Sequence, residues 1–376
     1  MRRAVIVRYS EIAVKGKYTR PRLERLLRDH VAEALERHGG GGTPERIEGR
    51  IIVWDPYDPE KAARAATRVF GVKSASPAVA VEFDGIEDLV AKAYDYFKIR
   101  IRGKFRVTAR RSGSHDFTSL DVERKLGELL SKHAPVDLHN PEYTAYVEVR
   151  GRIAFFYDRV LPGPGGLPLG SEEPTLVLYS GGFDSTAAAW MIMRRGSPAG
   201  LAIFDVGVEE ALENAVRTAI RLHWEWIHGA PLQVYIADFH DAVSRVRERV
   251  RPKYQVLILR RLMMLEAEKL ALREGYEALA TGESIGQVAT QTVRNIRLIG
   301  SGLQLPVIRP VAGMDKDEVM ALVSRIGLYD LVSRQVEACK AAVNPNPRPD
   351  PERFYRELGR VAGSYRVSWK RIRVGG

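Results

Sequence analysis

The segment Ser180-Gly181-Gly182-Phe183-Asp184-Ser185 restricts the fold of this chain more than any other stretch. An apolar run, Thr175-Leu176-Val177-Leu178-Tyr179, leads into it, and the Ala-rich Thr186-Ala187-Ala188-Ala189-Trp190-Met191 leads out. That order reads as buried strand, tight turn, helix start. Strand and helix go on alternating downstream. Leu176–Tyr179, Gly200–Phe204, Leu232–Ile236 and Ala278–Ala280 are short apolar strand candidates, with helices over Leu212–His223 and Gln255–Arg273 between them. Such alternation implies a parallel sheet covered on both faces, with ligands beyond the C-terminal ends of its strands. The Ser180–Ser185 turn is at such an end. Its backbone N–H groups and the positive helix end converge where an anion is well placed, and paired glycines allow close approach. Ser180 and Ser185 add hydroxyl donors. Asp184 is foreign to a bare anion nest, and a bound Mg²⁺ accounts for it. The turn lacks the Gly-Lys-Ser/Thr ending of a Walker loop. Its bland reading is a glycine turn with an Asp-Ser helix cap.

At 376 residues, 45% of them apolar, the chain is long enough for two or three domains with separate cores. A single cysteine, Cys339, excludes an internal disulfide and any multi-cysteine zinc or iron–sulfur site within one chain, so no iron–sulfur cluster is expected. No stretch approaches a membrane span, and Met1-Arg2-Arg3-Ala4 leads into a strand-like run and not a signal peptide, so the expectation is a cytoplasmic protein. The net charge is +11, of which residues 1–160 carry +7. A polyanionic partner explains that excess, and so does an arginine-rich surface adapted to heat.

The Pro/Gly run Leu161 to Gly170 is the clearest boundary. Before it the pattern is α+β. Ala4–Tyr9, Arg50–Trp54, Ala78–Phe83, Phe105–Ala109, Tyr143–Val149 and Arg152–Tyr157 read as strands. Pro59–Phe70, Ile86–Phe97 and Leu120–Lys132 read as helices, and Leu23, Leu26, Leu27, Val31, Ala34 and Leu35 share one helical face. Gly39–Gly42 reads as a flexible connection. The expected division is 1–55, 56–160, a linker over 161–174, and the α/β part over 175–376.

Two further segments of the α/β part carry chemistry. Thr281-Gly282-Glu283-Ser284-Ile285-Gly286-Gln287, running on to Gln291 and Thr292, follows the strand ending at Ala280 and so lies at the same sheet edge as the turn. Gly282 permits close approach of a ligand, and the spacing of Gln287 and Gln291 predicts a shared helix face. Gly-Glu-Ser also fits a plain helix cap. Pro306 to Val319 reads as a rigid loop entering a helix, with Asp315 its cap and Lys316 either a phosphate ligand or a solvated surface charge. Cys339 sits in a polar, Pro-rich segment that makes a poor core. Lys340 beside it favours the thiolate.

Ser180–Ser185 resembles the signature of the PP-loop ATP pyrophosphatases, which split ATP between its α and β phosphates and adenylate a substrate. Together with Thr281–Thr292, Pro306–Val319, Cys339 and the opening Arg8-Tyr9-Ser10-Glu11-Ile12-Ala13-Val14-Lys15-Gly16-Lys17, it resembles the tRNA 4-thiouridine synthetases (ThiI family) over nearly the whole chain. Phe105 to Ser112 is similar to the centre of a THUMP domain. The resemblance implies a ferredoxin-like unit and a THUMP domain that grip tRNA, Lys15, Lys17, Arg110 and Arg111 among the contacts, followed by a Rossmann-like α/β PP-loop domain. It implies ATP and Mg²⁺ as cofactors and adenylation of O4 of uridine 8, with sulfur then displacing AMP. Adenylate contacts fall on Leu178, Tyr179, Ile203, Phe204, Arg260, Gly282 and Gln291. Phosphate contacts fall on Ser180, Gly181, Gly182, Asp184 and Ser185 with help from Lys316, and sulfur handling falls on Cys339. Asp184 is the Mg²⁺ candidate. Of Arg260 and Arg261, adjacent on one helix, one is expected to face the site. From the sequence as read, neither the rhodanese domain of the long members nor the cysteine pairs of some short ones are expected. The sulfur donor is therefore open between sulfide and a persulfide-carrying protein. A homodimer bridged by one tRNA is a further expectation. Another PP-loop tRNA-modifying enzyme, or a non-catalytic ATP- and RNA-binding protein, are the alternatives.

Overall fold

The computed structural model describes residues 1–335 and 345–375. Two compact units divide the chain, Met1–Pro168 and Leu169–Gly376.

The first unit contains strands β1 (Arg2–Arg8), β2 (Thr43–Ile47), β3 (Arg50–Trp54), β4 (Ser74–Glu82), β5 (Phe105–Ser112), β6 (Tyr143–Arg150), β7 (Ile153–Tyr157) and β8 (Leu161–Pro162). Its helices are α1 (Thr19–His38), α2 (Pro59–Ala66), α3 (Gly85–Phe97) and α4 (Ser119–Leu130). One sheet runs β2-β3-β1-β4-β7-β6-β5, with β8 also on β4. The boundary expected near residue 55 thus falls inside a continuous sheet, and the run expected to begin the linker starts as a short strand. Helices α1 and α2 cover β1, β3 and the start of β4, while α3 and α4 cover β5, β6 and β7. Leu23, Leu27, Val31, Ala34 and Leu35 of α1 are buried, as their spacing predicts. On the other sheet face Trp54 on β3 and Phe155 on β7 reach across the small Ala4, Ala78 and Ala80 and bring their rings to 5.9 Å. Gly39–Gly42 is a packed turn and not a slack connection. All four residues have positive φ, and a Cβ at Gly40 would lie 2.3 Å from the Ala62 nitrogen.

On β6, Glu148 is fully buried. Its Oε2 accepts from Arg8 Nε and Nη2, each at 3.2 Å, and from the Tyr157 hydroxyl at 3.3 Å. Its Oε1 accepts from Arg50 Nε at 2.7 Å and Arg150 Nη2 at 2.6 Å. Burial alone would raise this carboxyl's pKa. The three guanidiniums outweigh it and hold the group at about 2.

The second unit has strands β9 (Thr175–Leu178), β10 (Ala199–Asp205), β11 (Leu232–Asp238), β12 (Ala278–Ala280), β13 (Val307–Ile308) and β14 (Ser368–Val374). Its helices are α5 (Phe183–Arg194), α6 (Glu209–Trp226), α7 (His240–Arg249), α8 (Pro252–Glu274), α9 (Val293–Gly300), α10 (Lys316–Arg325), α11 (Tyr329–Val332) and α12 (Pro351–Gly359). The sheet order is β13-β12-β9-β10-β11-β14. All pairings are parallel except the last, where β14 runs antiparallel along β11. Leu176, Ala202, Tyr235 and Leu279 pack with α7, α8, α9 and α12 in one core. Val177, on the alternate face of β9, is buried away from that core, on the side where α5 packs. Part of the expected Pro306–Val319 loop is strand, since Val307 and Ile308 pair with Leu279 and Ala280. Successive strands leave β9 in opposite directions, to β10 on one side and β12 on the other. The ends of β9 and β12 therefore flank the switch point of the sheet.

Candidate functional site

Strand β9 ends as the Tyr179 N–H donates to the Ala202 carbonyl at 2.8 Å, and the chain turns into α5. Gly181 adopts φ +74°, and a Cβ there would sit 2.6 Å from Ala215 Cα on α6, so the turn has no room for a side chain. Gly182, in extended backbone, is the residue before α5. The Ser185 hydroxyl accepts from the Ser180 N–H at 3.2 Å and lies 3.1 Å from Ser180 Oγ, closing the turn across its mouth. Gln335, which sequence reasoning did not single out, donates to the Ser180 carbonyl at 2.7 Å and the Ala211 carbonyl at 3.2 Å. No local pattern marks that role, because its partners lie far away in sequence.

The end of β12 meets this turn directly. A Cβ on Gly282 would be 2.5 Å from Asp184 C and 2.6 Å from Ser185 N, so only glycine lets the two loops touch. Gln287 Nε2 donates to Asp184 Oδ2 at 3.2 Å. Burial raises the Asp184 pKa, opposed by this hydrogen bond and by the fields of Lys316 and Arg260. Gln287 and Gln291 do not share a helix. Gly286 turns at φ +80°, Val288 is extended, and only Ala289–Gln291 forms a short 3₁₀ turn. The two glutamines act separately: Gln287 is exposed beside Asp184, while Gln291 is buried with its amide oxygen meeting no donor among the described residues.

Of the arginine pair on α8, Arg260 faces the site. It approaches Glu283 at 3.6 Å and acts on Asp184. Arg261 points the other way and donates to the Ile299 carbonyl at 2.8 Å. Leu178 and Phe204, at the ends of β9 and β10, are half-buried, with the Phe204 ring edge-on to Phe239 and Trp369. Ile203 is buried. So is the Tyr179 side chain, whose hydroxyl meets Thr186 Oγ1 at 3.2 Å, leaving only its backbone at the turn. Lys316 is the exposed first residue of α10, held there by a capping box between Asp315 and Glu318.

The structure thus brings together Ser180 to Ser185, Gly282, Arg260 and, by its field, Lys316. Cys339 lies outside the described residues. Lys15 and Lys17 are exposed in the first unit, between Val14 and Tyr18, which are also bare to solvent, and Arg110 and Arg111 are exposed on β5. Among the described residues no group of three or more His, Cys, Asp or Glu could hold a metal, and no helix is long and apolar enough to cross a membrane. Asp184, half-buried with one side-chain partner, nevertheless fits Mg²⁺. That ion commonly takes one or two carboxylates and completes its shell with substrate phosphates and water.

Comparison with known proteins agrees along the whole chain. The family profile described as thiamine biosynthesis protein (ThiI) matches residues 170–360. The ThiI ferredoxin-like domain matches residues 4–76 and the THUMP domain residues 80–158. A probable tRNA sulfurtransferase of Aeropyrum pernix is 59% identical, over 95% of this chain and 91% of its own. The tRNA sulfurtransferase of Thermoplasma acidophilum is 36% identical, over 95% and 73%. A crystal structure of a 4-thiouridine synthetase–RNA complex with bound ATP superposes with a TM-score of 0.83 at 29% identity, covering both chains fully.

Proposed function

This chain belongs to the ThiI family of tRNA sulfurtransferases, and from that membership we propose that it converts the uridine at tRNA position 8 to 4-thiouridine with ATP. Uracil O4 is a poor leaving group. Its attack on the α-phosphorus of ATP expels pyrophosphate and leaves O4 as part of an adenylate. Sulfur then attacks C4, the C4–O4 bond breaks, and AMP departs with the oxygen. The base must first be exposed from the folded tRNA.

The observation that carries this reading is the meeting of the Ser180–Ser185 turn with Gly282 and Arg260 at the switch point between β9 and β12. N–H groups and hydroxyls of the turn bind phosphates, and Lys316 offsets their charge. Asp184 holds Mg²⁺, which when bound neutralises phosphate charge. Leu178 and Phe204 wall the adenine, with the buried Ile203 and Tyr179 contributing backbone. The Gln291 amide oxygen, which meets no donor among the described residues, suits an amino donor. In the first unit Lys15, Lys17, Arg110 and Arg111 meet tRNA phosphates, and bare Tyr18 among lysines suits base stacking. Sulfur comes from sulfide, or from a persulfide carrier acting through Cys339, in which case a thiol from outside the chain reduces the mixed disulfide formed with the base and is itself oxidised. The protein works in the cytoplasm, as a homodimer that one tRNA bridges.

The test is thiolation of an unmodified tRNA transcript with ATP, Mg²⁺ and sulfide, read as retardation on a mercury-containing gel. Retardation should require ATP and vanish when uridine 8 is replaced. The absence of both retardation and tRNA-stimulated pyrophosphate release would sink the reading. Cys339→Ser should keep pyrophosphate release and lose thiolation; full thiolation with sulfide would show that the thiol is dispensable.

A further inference from the structure

The tetrapeptide Thr281-Gly282-Glu283-Ser284 does more than approach a ligand. Gly282 abuts the start of α5. Ser284 Oγ donates to the Met314 carbonyl at 2.6 Å, and the Ile285 N–H donates to the Ala312 carbonyl at 3.0 Å, fixing the turn that presents Lys316. Glu283, 6% exposed, sits between these contacts. Its Oε2 accepts from Thr281 Oγ1 at 3.0 Å and from Arg309 Nε at 2.9 Å. With that oxygen locked, Oε1 is left aimed at Arg260, 3.6 Å away. At that distance the guanidinium is oriented by charge while its donors stay available, since a hydrogen bond needs closer approach.

We infer that Glu283, anchored by Arg309 and Thr281, is a positioning residue that holds the Arg260 guanidinium ready for the nucleotide. The inference rests on the nucleotide-site reading above. A residue that merely supports the fold lowers the active fraction, and so kcat, at unchanged KM. One that orients a nucleotide contact made equally in ground and transition states raises KM at unchanged kcat. Glu283→Gln should therefore raise the KM for ATP in tRNA-dependent pyrophosphate release about tenfold, with kcat within about twofold. In an Arg260→Met background the same substitution should change KM by less than about twofold, because the residue it acts through is gone. Equal effects in both backgrounds, or an unchanged or lower KM in the single variant, would overturn the inference. If Glu283→Gln does not fold, Thr281→Val takes its place. It keeps every charge, loses one bond to Oε2, and should raise KM about threefold in the wild type only. Isothermal titration of ATP into the wild-type protein separates the levels: no binding there overturns the site itself, whereas binding with additive variants overturns only the part given to Glu283.

Discussion

Glu148 is fully buried and Asp184 half-buried, and their surroundings drive them in opposite directions. Glu148 meets three guanidiniums and a tyrosine hydroxyl, with every contact supplied by the protein, and its pKa is held at about 2. Asp184 has Gln287 as its side-chain partner, feels Lys316 and Arg260 from farther off, and is raised by burial. The first carboxylate is saturated and serves the fold. The second has one side-chain hydrogen bond among the described residues, in keeping with the proposed binding of a cation and phosphates. Burial by itself therefore says little about a carboxylate's role, and the number of contacts the chain leaves unmade says more.

Asp184→Ala is the sharpest way to break that contrast. It should lower pyrophosphate release by about a thousandfold or more while leaving thermal stability within about 0.5 kcal/mol. Normal release would remove Asp184 from the reaction. Glu148→Ala should do the reverse. Three guanidiniums lose their shared carboxylate, so chemical denaturation should show a loss of about 3–5 kcal/mol. Activity per folded molecule should persist at temperatures where the variant stays folded, and a wild-type denaturation curve would show the cluster to be idle.

His30, buried on α1, extends the contrast to a cation. Burial lowers its pKa from 6.5 to about 4, against weaker pulls from Glu33 and Asp29. The unfolded chain then takes up a proton below pH 6.5 that the folded chain refuses until about 4. Stability should accordingly fall across that window by up to about 3 kcal/mol and be unaffected above it. The difference in stability between wild type and His30→Leu, followed over the same range, should carry that dependence, and a flat difference would refute it. Neutralising Lys15 and Lys17 should produce the smallest change. These exposed side chains should cost tRNA affinity a few-fold and flatten its salt dependence by about two phosphate contacts; unchanged affinity would move the contact elsewhere.

Local pattern and local chemistry made part of this molecule legible in advance. The β9–turn–α5 passage could be read because apolar run, glycines and helix former are contiguous. Two edge strands could not. Thr43–Ile47 has a single large apolar residue, and Ser368–Val374 sets Trp369, Ile372 and Val374 among Lys370, Arg371 and Arg373. A helix was expected through Gln287 and Gln291 from their spacing, but Gly286 in a left-handed turn prevails over periodicity. Spacing alone did not separate Arg260 from Arg261; the resemblance singled out Arg260, and α8 turns that side chain toward Glu283. The Glu148 cluster was invisible, because Arg8 lies 140 residues from its partner. Glu283 was in view within its motif, though as a cap. Its partners Arg260 and Arg309 come from a helix before it and a strand end after it.

The seam between β9 and β12 consists of three register pairs, Thr175 with Ala278, Leu176 with Leu279 and Val177 with Ala280. Across its upper end Asp184 and Gln287, 103 residues apart along the chain, are bridged by one hydrogen bond. Joining such distant residues is entropically costly and brings few contacts in return. A nucleotide held by both sides works as a splint on this seam. At a hundred times its dissociation constant it adds about 2.7 kcal/mol to whatever opening separates the two strands. Amide protons of Leu176 to Tyr179 and of Leu279 to Gly282 should then exchange more slowly with ATP present, and their protection would follow nucleotide concentration before any tRNA has been touched.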